Sequence, residues 1–485
     1  MLDLALIRAE PARLKAALAR RGVPAEAVDA VTNLDGRWNA RLEVREALRH
    51  RRRRISEEVA LTRHEGRDTA DLEREARRVA DELAAVEAEV ADLDARRHQA
   101  LLVLPNLPMT DVPDNAGGRP TIRPPVGGPP LRGHARQAET ASAPAAEAAG
   151  DSSSARAAPA WCKPFPPLAH WDLLEILGLT HTLGRSPGRG FLIWRGRGAR
   201  LVRALVEFML DLHTREFGYE EVRVPAIAAR EALTGSAHLP TLEDKMYTVE
   251  PGAPGGMPAS EPAAGAAGHS AQSPASRRAS LFLAPRGEPY LANLYAGVTM
   301  AGAQLPERFA AAGRAFRREA GGRGVQGRGL LRLHEFDTVE LYAFCRPDQD
   351  EEELAHAVRA AEAVLKRLEV PHRRTLRAAR DLSHAAAKTW DLEVGAPGMK
   401  EWLSVAALST FTDYQARRTN TRYSEPGPIA RPRPVHTVGG AAVALPRLLA
   451  ALLENHQQSD GSVCLPPALA PYMGGEGALA VSAKA

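Results

Sequence analysis

The chain is poor in cysteine and lacks any long apolar run. Its 485 residues include three cysteines, Cys162, Cys345 and Cys464, whose spacing fits neither a disulfide framework nor a zinc site. No apolar stretch approaches the roughly twenty residues of a membrane span. Asp3 and Glu10 interrupt the first apolar positions, which argues against a secretory or transit segment. We therefore expect a protein of the reducing cytoplasm with no membrane partner.

Excess charge is also small. Lys and Arg number 63 against 59 Asp and Glu, so the formal net charge is +4 and the pI is near 9.0. This balance suits a polyanionic partner but is common among proteins that bind no nucleic acid, so the placement of charge matters more than its sum. The length and the 44% of hydrophobic residues allow two or three domains with full cores.

Apolar residues between 70 and 100 recur at alternating spacings of four and three, which is a heptad pattern. They are Leu72, Ala76, Val79, Leu83, Val86, Val90 and Leu93. A preceding helix from about 26 to 62 carries Val44, Leu48, Ile55 and Val59, and the segment 64–68 interrupts the pattern. We predict an antiparallel helical hairpin, an arm of about 50 Å. The alternative is a dimerising coiled coil.

Basic residues are concentrated on the first helix of this hairpin. They are Arg49, Arg51, Arg52, Arg53 and Arg54. A charge run is usually a solvated helix face, but a dense basic run on a projecting element favours contact with phosphates. Such contact adds affinity without reading sequence and weakens steeply with salt.

Two segments, 115–160 and 251–280, consist mainly of Gly, Pro, Ala and Ser, and we expect both to be loosely ordered. We divide the chain into an N-terminal arm at 1–112, a low-complexity linker at 113–160 and a domain at 161–485 that carries the 251–280 insertion. Strand-like and helical segments alternate in the last part, which indicates an α+β domain.

Arginines occupy two apolar segments about a hundred residues apart, Phe316–Glu319 and Ala444–Arg447. The first continues into a strand-like run in which Arg332, Phe336 and Glu340 recur every four residues and would share one face. In the second, Arg447 begins a Leu/Ala-rich helix, where the helix N-terminus and the guanidinium both attract polyphosphate. Two fixed guanidiniums can hold a triphosphate.

These segments resemble the second and third signature motifs of class II aminoacyl-tRNA synthetases. Further stretches are similar to seryl-tRNA synthetases, namely 1–22, 104–108, 238–247, 388–394, 413–418, 452–463 and 471–475. Val224-Pro225, after a helical stretch at 199–217, resembles the first motif, which forms the family's dimer interface. The resemblance implies an α+β fold, with the helical hairpin as a coiled-coil arm joined to a class II synthetase-like antiparallel sheet catalytic domain.

The resemblance also implies individual roles. Arg317 would hold the α-phosphate and the substrate carboxylate, Glu319 the adenine amino group, and Phe336 would stack on adenine. Arg332 and Arg447 would take the γ-phosphate end, which makes Arg317 and Arg447 the catalytic pair.

Three more residues complete the expected substrate site. Leu333 would join the ATP-binding residues, while Glu288 and Glu340 would bind the amino acid. The reaction would form seryl-adenylate from serine and ATP, with Mg²⁺, and then transfer the seryl group to the terminal ribose of tRNA.

For tRNA, the arm would embrace the long variable arm, with its arginine run on the RNA. The loop at 321–328 would face the acceptor end, where Arg323 and Arg328 could meet phosphate; a plain flexible hairpin is the alternative. A serine-accepting tRNA, serine and a second copy of the chain in a homodimer are the expected partners, with no role for DNA.

Departures from the family pattern concern the metal and the amino acid. Ser404 stands where the family has the glutamate that ligates the ATP-bound magnesium, and Ala407 where it has an assisting serine. Glu401 cannot substitute, because an offset of three along a strand places it on the other face. The metal would then be held largely by phosphate and water.

In the amino acid pocket, Arg286 replaces a threonine that touches the substrate. Gly439 and Ala441 replace an amide and a hydroxyl, so selection for serine would weaken. Three interpretations remain: an active serine–tRNA ligase with a remodelled pocket, a nucleotide- and tRNA-binding paralogue impaired in activation, and a synthetase-like ligase for another acid.

Overall fold

The computed structural model describes residues 1–114, 163–181, 190–249, 281–319, 328–427 and 431–482. The two low-complexity segments predicted at 115–160 and 251–280 lie outside the described residues, as do Cys162 and Arg323.

Helices and strands alternate after an entirely helical N-terminal part. The α-helices of the described residues are α1 (Leu4–Ala9), α2 (Pro11–Ala19), α3 (Ala25–His64), α4 (Ala70–Val103), α5 (His170–Ile176), α6 (Arg197–Phe217), α7 (Arg230–Gly235), α8 (Glu288–Leu291), α9 (Asp350–Arg367), α10 (Tyr414–Thr419) and α11 (Leu445–His456). The strands are β1 (Thr180–His181), β2 (Ile193–Trp194), β3 (Glu220–Arg223), β4 (Ile227–Ala229), β5 (Thr248–Val249), β6 (Leu281–Leu283), β7 (Thr299–Ala301), β8 (Glu307–Phe316), β9 (Glu335–Cys345), β10 (His372–Leu376), β11 (Lys388–Ala396), β12 (Glu401–Thr412), β13 (Arg422–Ser424), β14 (Arg433–Pro434), β15 (His436–Ala444), β16 (Val463–Cys464) and β17 (Ala478–Leu479).

Helices α3 and α4 form the predicted antiparallel hairpin. Ion pairs join Arg41 to Glu89 near its base and Arg63 to Glu73 near its tip, which fixes the antiparallel direction. The expected seam is buried on α4 at Val79, Leu83, Val86, Val90 and Leu93. At 40 residues, α3 is about 60 Å long, somewhat longer than predicted.

The prediction that Val44 of α3 lies in the seam is wrong. Val44 is 39% exposed, whereas the half-buried line of α3 runs through Leu42, Arg45 and Leu48. Because successive helical residues are about 100° apart, Val44 lies roughly 200° around the helix from Leu42. Arg45 occupies that line with its long aliphatic stem instead.

A seven-stranded sheet forms the centre of the remaining chain, in the order β10-β11-β12-β15-β9-β8-β3. Neighbouring strands are antiparallel except β3 and β8, so the expected α+β domain with an antiparallel sheet is confirmed. Helices α6, α9 and α11 pack against it. Val339, Leu341 and Ala343 of β9 lie in this helix-covered core. Since alternate strand residues face opposite sides, Glu340 faces away from the helices.

The N-terminal part packs on the sheet domain through polar as well as apolar contacts. Asn106 donates from Nδ2 to the carbonyl oxygens of Ala385 at 2.9 Å and Phe411 at 2.8 Å. Arg21 donates to the carbonyl oxygen of Ser383 at 2.7 Å. Burial lowers the pKa of Arg21 to about 10, so the guanidinium remains charged near neutral pH.

Candidate active site

A cavity of about 530 Å³ lies on the face of the sheet opposite the packed helices. Its walls come from β8, β9, β12, β15 and the start of α11. The residues predicted to bind ATP all line it, namely Arg317, Glu319, Arg332, Leu333, Phe336 and Arg447. Glu340 and Arg286 line it too. Glu288 does not line it but is ion-paired with Arg286.

Arg317 directly follows β8, and its backbone N–H donates to the carbonyl oxygen of His334 at 2.9 Å. Its guanidinium carbon lies 5.4 Å from the ring centre of Phe336. Burial, aided by the nearby Arg286 cation, lowers the pKa of Arg317 to about 10. The residue is therefore a half-buried cation, placed to receive an anionic ligand.

Arg332 departs from the sequence prediction, because β9 begins at Glu335 and Arg332 lies in the turn before it. Phe336 and Glu340 share a strand face as predicted, but Arg332 reaches the same cavity from outside the ladder. There its Nε lies 2.6 Å from Oε2 of Glu319. Two residues expected at opposite ends of ATP are thus paired with each other.

Arg447 is the third residue of α11, and Pro446 precedes it in the first turn, where proline is well tolerated. Ala444 at the N-cap has no side-chain acceptor, so the helix N-terminus is left for a ligand to approach. The guanidinium donates to the carbonyl oxygen of Ser404 at 2.8 Å, and burial lowers the pKa of Arg447. The positive end of the α11 dipole and the charge of the Arg447 guanidinium therefore act on the same part of the cavity.

Glu454, near the other end of α11, is fully buried and fixes this helix. Its Oε1 accepts from the backbone N–H of His170 at 2.9 Å and from the His170 ring at 3.0 Å. Its Oε2 accepts from the N–H groups of Gly398 at 2.8 Å and Met399 at 3.2 Å. The second ring nitrogen of His170 accepts from the N–H of Leu330 at 3.1 Å, which connects the cavity wall to α11.

Strand β12 carries Ser404 into the cavity. Val405 is the extra residue of a β-bulge, since Glu393 pairs with Ser404 but Leu392 pairs with Ala406. The bulge explains why consecutive residues 404–407 all line the cavity. Glu401 is exposed and does not line it, as the strand alternation predicted.

The cavity offers few carboxylate ligands for magnesium. Across the described ranges, no group of three or more His, Cys, Asp or Glu side chains is arranged to hold a metal ion. The carboxylates that line the cavity are Glu319 and Glu340, and each has an arginine beside it. The residues present therefore do not fit a protein-bound Mg²⁺.

Arg286 points into the cavity. Its Nη1 lies 3.3 Å from Oε2 of Glu288, and its Nε lies 3.9 Å from Oε1 of Glu340. Glu340 also accepts from the Glu288 N–H at 2.9 Å, and Glu288 accepts from Gln415 Nε2 at 2.8 Å. Burial would lower the pKa of Arg286, but Glu340 and Glu288 leave it raised, whereas burial raises the pKa of Glu340 to about 7.

The neighbouring glycines are fixed by close packing. A Cβ added to Gly440 would lie 2.0 Å from the carbonyl oxygen of Ala407, and its φ is +145°. A Cβ at Gly439 would lie 2.6 Å from the ring of Tyr342. The Tyr342 ring therefore occupies the space that the Cβ of the family's amide residue would need at position 439.

Two site residues were missed by the sequence reasoning. Arg377 lines the cavity, and its Nε donates to Asp391 at 2.8 Å across the β10–β11 pairing. Gln415 holds Glu288 and belongs to a stretch that was matched to the family without a role. Only the strand pairing reveals Arg377, whereas the family-like stretch at 413–418 was an available signal for Gln415.

The arginines predicted to contact tRNA have different surroundings. Arg49 is ion-paired with Glu87, and Arg51 with Glu75. Arg52, Arg53 and Arg54 are exposed and form no ion pair with any residue in the described part of the chain. In the other expected tRNA-contacting region, Arg328 is exposed, with its guanidinium carbon 5.9 Å from the ring centre of Trp171.

Among the described helices, none is long and apolar enough to cross a membrane.

Comparisons with known proteins agree over nearly the whole chain. Residues 1–108 match the seryl-tRNA synthetase N-terminal domain, and residues 273–456 match the tRNA synthetase class II core domain (G, H, P, S and T). A serine–tRNA ligase of Gemmatimonas aurantiaca is 37% identical over 98% of this chain and 99% of its own length, and one of Pelotomaculum thermopropionicum is 34% identical with the same coverage. The crystal structure of seryl-tRNA synthetase from Pyrococcus horikoshii complexed with ATP matches with a TM-score of 0.79 and 28% identity, covering 99% of this chain and 100% of that one. The chain therefore belongs to the seryl-tRNA synthetase family.

Proposed function

We propose that this protein is a serine–tRNA ligase that activates serine with ATP and transfers the seryl group to tRNA. The observation that carries the proposal is the meeting of Arg317 and Arg447 in one cavity with the other predicted ATP residues. Both residues are half-buried: the backbone of Arg317 is anchored to His334, and the guanidinium of Arg447 donates to the carbonyl oxygen of Ser404. A preorganised pair of this kind stabilises the charge that develops during phosphoryl chemistry without reorganising solvent.

In the first step, a carboxylate oxygen of serine attacks the α-phosphorus of ATP. The bond from that phosphorus to the bridging oxygen breaks, so seryl-adenylate forms and pyrophosphate leaves. Arg317 would bear on the α-phosphate and on the attacking carboxylate, while Arg332 and Arg447 neutralise the departing pyrophosphate. In the second step, a hydroxyl of the terminal tRNA ribose attacks the acyl carbon, and AMP leaves.

We treat Mg²⁺ as part of the ATP substrate rather than as a resident metal. With Ser404 in place of a carboxylate, the ion would be held by phosphate oxygens and water. Arg286, Arg317, Arg332, Arg377 and Arg447 bring five guanidiniums to the cavity wall, which supplies positive charge by another route.

We propose that residues 1–112 act as the tRNA-binding arm, 113–160 as a linker and 161–485 as the catalytic domain. The exposed Arg52, Arg53 and Arg54 support a contact with tRNA phosphates. We further propose a homodimer, in the cytoplasm, through the region of α6 and Val224-Pro225, which resembles the family's first motif.

A second function is favoured by the Arg286–Glu288–Glu340 cluster together with Ser404. Both features weaken serine activation while leaving the ATP arginines in place, as in a paralogue that binds nucleotide and tRNA but activates serine poorly. Serine-dependent ATP–pyrophosphate exchange and charging of total tRNA decide between the two. Exchange that is lost in Arg317→Ala supports the ligase; absent exchange with retained tRNA binding supports the paralogue.

Restoration of the missing carboxylate sharpens the experiment. Ser404→Glu should increase exchange if the metal limits activation, and Ser404→Gln provides a control of equal size without the charge. An increase in the glutamate variant alone would locate the deficit at the metal, whereas no exchange in any variant would leave the paralogue interpretation.

A further inference from the structure

The amino acid end of the cavity already contains a cation. The Arg286 guanidinium lies 3.3 Å from Glu288 and 3.9 Å from Glu340, and both glutamates are buried. These are the two carboxylates expected to bind the ammonium and hydroxyl groups of serine. The cavity thus contains its own counter-ion in the region where the substrate would place its positive charge.

One oxygen of each carboxylate also accepts a hydrogen bond from the protein. Glu340 accepts from the backbone N–H of Glu288, and Glu288 accepts from Gln415. An incoming α-ammonium would therefore have to share acceptors with a guanidinium of the same sign inside a poorly solvated site. Like charges in such surroundings repel strongly, because water no longer screens them.

Arg317 adds to the imbalance. It lines the same cavity in a half-buried position, and burial together with the Arg286 cation lowers its pKa. The substrate carboxylate is attracted by both arginines, but the ammonium of an amino acid is not. A carboxylic acid of serine's size with a hydroxyl in place of the amine has the carboxylate that the two arginines attract, but it lacks the ammonium that they repel.

Arg286 has space outside the cavity. It also lines a second cavity of about 510 Å³, together with Glu221 and Asp337, next to the Val224-Pro225 surface of the proposed dimer. Asp337 is a half-buried carboxylate that forms no ion pair with any residue the structure describes.

We infer that Arg286 is a specificity-determining residue whose guanidinium takes the place of a substrate α-ammonium, so that the native cavity disfavours α-amino acids relative to short 2-hydroxy acids such as glycerate. The inference rests on the proposed function only in that the acid enters this cavity. It concerns binding, and it stands or falls separately from catalysis.

Direct titration of the full-length protein with serine and with glycerate, in the presence of a non-hydrolysable ATP analogue, tests it. Arg286→Thr and Arg286→Gln remove the charge, the second with little loss of size, whereas Arg286→Lys retains the charge. Arg367→Thr is the control, since Arg367 is an exposed arginine paired with Glu216 at 2.9 Å. Thermal melting confirms that each variant is folded.

We expect the dissociation constant for serine to fall by about tenfold or more in both neutral variants, because each removes a like-charge contact from a poorly solvated site. The Arg286→Lys variant should behave as the native protein does, whereas glycerate affinity should fall in the two neutral variants, because its carboxylate loses one of the two arginines that attract it. Serine affinity that is equal in the native and Arg286→Gln proteins, or absent from both, overturns the inference. If the binding pattern holds but no variant supports exchange with either acid, the proposed ligase activity fails and the role of Arg286 stands.

Discussion

Arg332 and Glu319 form an ion pair, with Nε of the arginine 2.6 Å from Oε2 of the glutamate. The pair joins the turn before β9 to the segment after β8, and it closes part of the cavity that both residues line. Because ATP is expected to engage Glu319 through adenine and Arg332 through phosphate, nucleotide binding has to separate the two side chains or exchange their partners.

Replacement of Arg332 should therefore affect ATP binding far more than folding. The arginine side chain is 41% exposed, and partly exposed pairs contribute about 0.2–1 kcal/mol, so Arg332→Ala should leave the melting temperature nearly unchanged. Loss of a charge-assisted phosphate contact, about 1.5–3 kcal/mol, should raise the KM for ATP by roughly 10- to 100-fold. Pyrophosphate exchange against ATP concentration measures it. An unchanged KM would remove Arg332 from the ATP site.

The pair also predicts coupling. In Arg332→Ala, a second change Glu319→Gln should have a different effect on ATP affinity than it has alone, by about 0.5 kcal/mol or more, because the two side chains share a contact. A double-mutant cycle on ATP affinity gives the coupling energy. Additive effects would mean that the pair has no bearing on nucleotide binding.

Local patterns in the sequence were sufficient for the arm, and the family resemblance selected residues that line one cavity. The α4 heptads predicted its buried seam because periodicity reports which face of a helix is buried. The same reasoning failed at Val44, where an arginine stem occupies the half-buried line and no apolar residue marks it. Strand alternation placed Phe336 and Glu340 correctly but extended the strand three residues too far, to Arg332.

Contacts between distant segments could not be predicted in this way. The orientation of Arg286 depends on Glu340, which lies 54 positions later in the chain and joins it only through the folded sheet. Arg377 enters the cavity because β10 pairs with β11, and Glu454 reaches His170 across 284 positions. Such contacts leave no local periodicity, so only the assembled fold reveals them.

Glu340 should make stability depend on pH. Burial raises its folded-state pKa to about 7 from an ordinary value of 4.5, so the folded protein retains a proton that the unfolded chain has lost between these values. Since the unfolded state then binds fewer protons, the free energy of unfolding falls as pH rises from about 4.5 to 7, and it levels off above the folded pKa.

Glu340→Gln retains an acceptor for the Glu288 N–H but cannot titrate. The melting temperature of the native protein should therefore fall more than that of the variant between pH 5 and pH 8, with the difference arising mainly below pH 7. Differential scanning fluorimetry in matched buffers measures both. Parallel curves for the two proteins would show that Glu340 ionises in the folded protein much as it does in the unfolded chain.

Glu454 should be among the most important polar residues for stability. Its side chain is fully buried and accepts four hydrogen bonds, from His170 twice and from Gly398 and Met399. Glu454→Ala removes the shared acceptor and leaves the buried donors of His170 and the partly buried donors of Gly398 and Met399 unpaired, which should cost about 3 kcal/mol or more. Urea denaturation gives the difference, and Glu454→Gln, which retains one acceptor oxygen, should lose less.

A comparison of Glu454 and Arg447 variants separates the stability of α11 from ATP binding. Because Glu454 fixes α11 but does not line the cavity, a loss of stability in Glu454→Gln should accompany a modest rise in the KM for ATP, whereas Arg447→Ala should raise that KM with little change in stability. Equal stability of Glu454→Ala and the native protein would contradict the proposed anchoring of α11.

The exposed arginines of the arm should bind tRNA through its phosphates. Simultaneous replacement of Arg52, Arg53 and Arg54 by alanine removes three charges that have no described ion-pair partner. The slope of the logarithm of tRNA affinity against the logarithm of salt concentration should become shallower by up to about 2.7, if each contact releases about 0.9 counterion. Filter binding at salt concentrations from about 50 to about 300 mM measures this slope.

A matched control comes from the other helix of the same arm. Arg74, Arg77 and Arg78 of α4 are exposed, and their replacement by alanine changes the net charge by the same amount, but Arg74 pairs with Asp71 and Arg78 with Glu82. If the α3 arginines contact RNA, their loss flattens the salt dependence and the α4 triple variant does not. Equal effects would mean that the arm attracts RNA only through its total charge, and no effect from either would exclude both sets of arginines from the tRNA interface. Serine-dependent exchange should be the same in both triple variants, because the arm lies outside the cavity in which the adenylate would form.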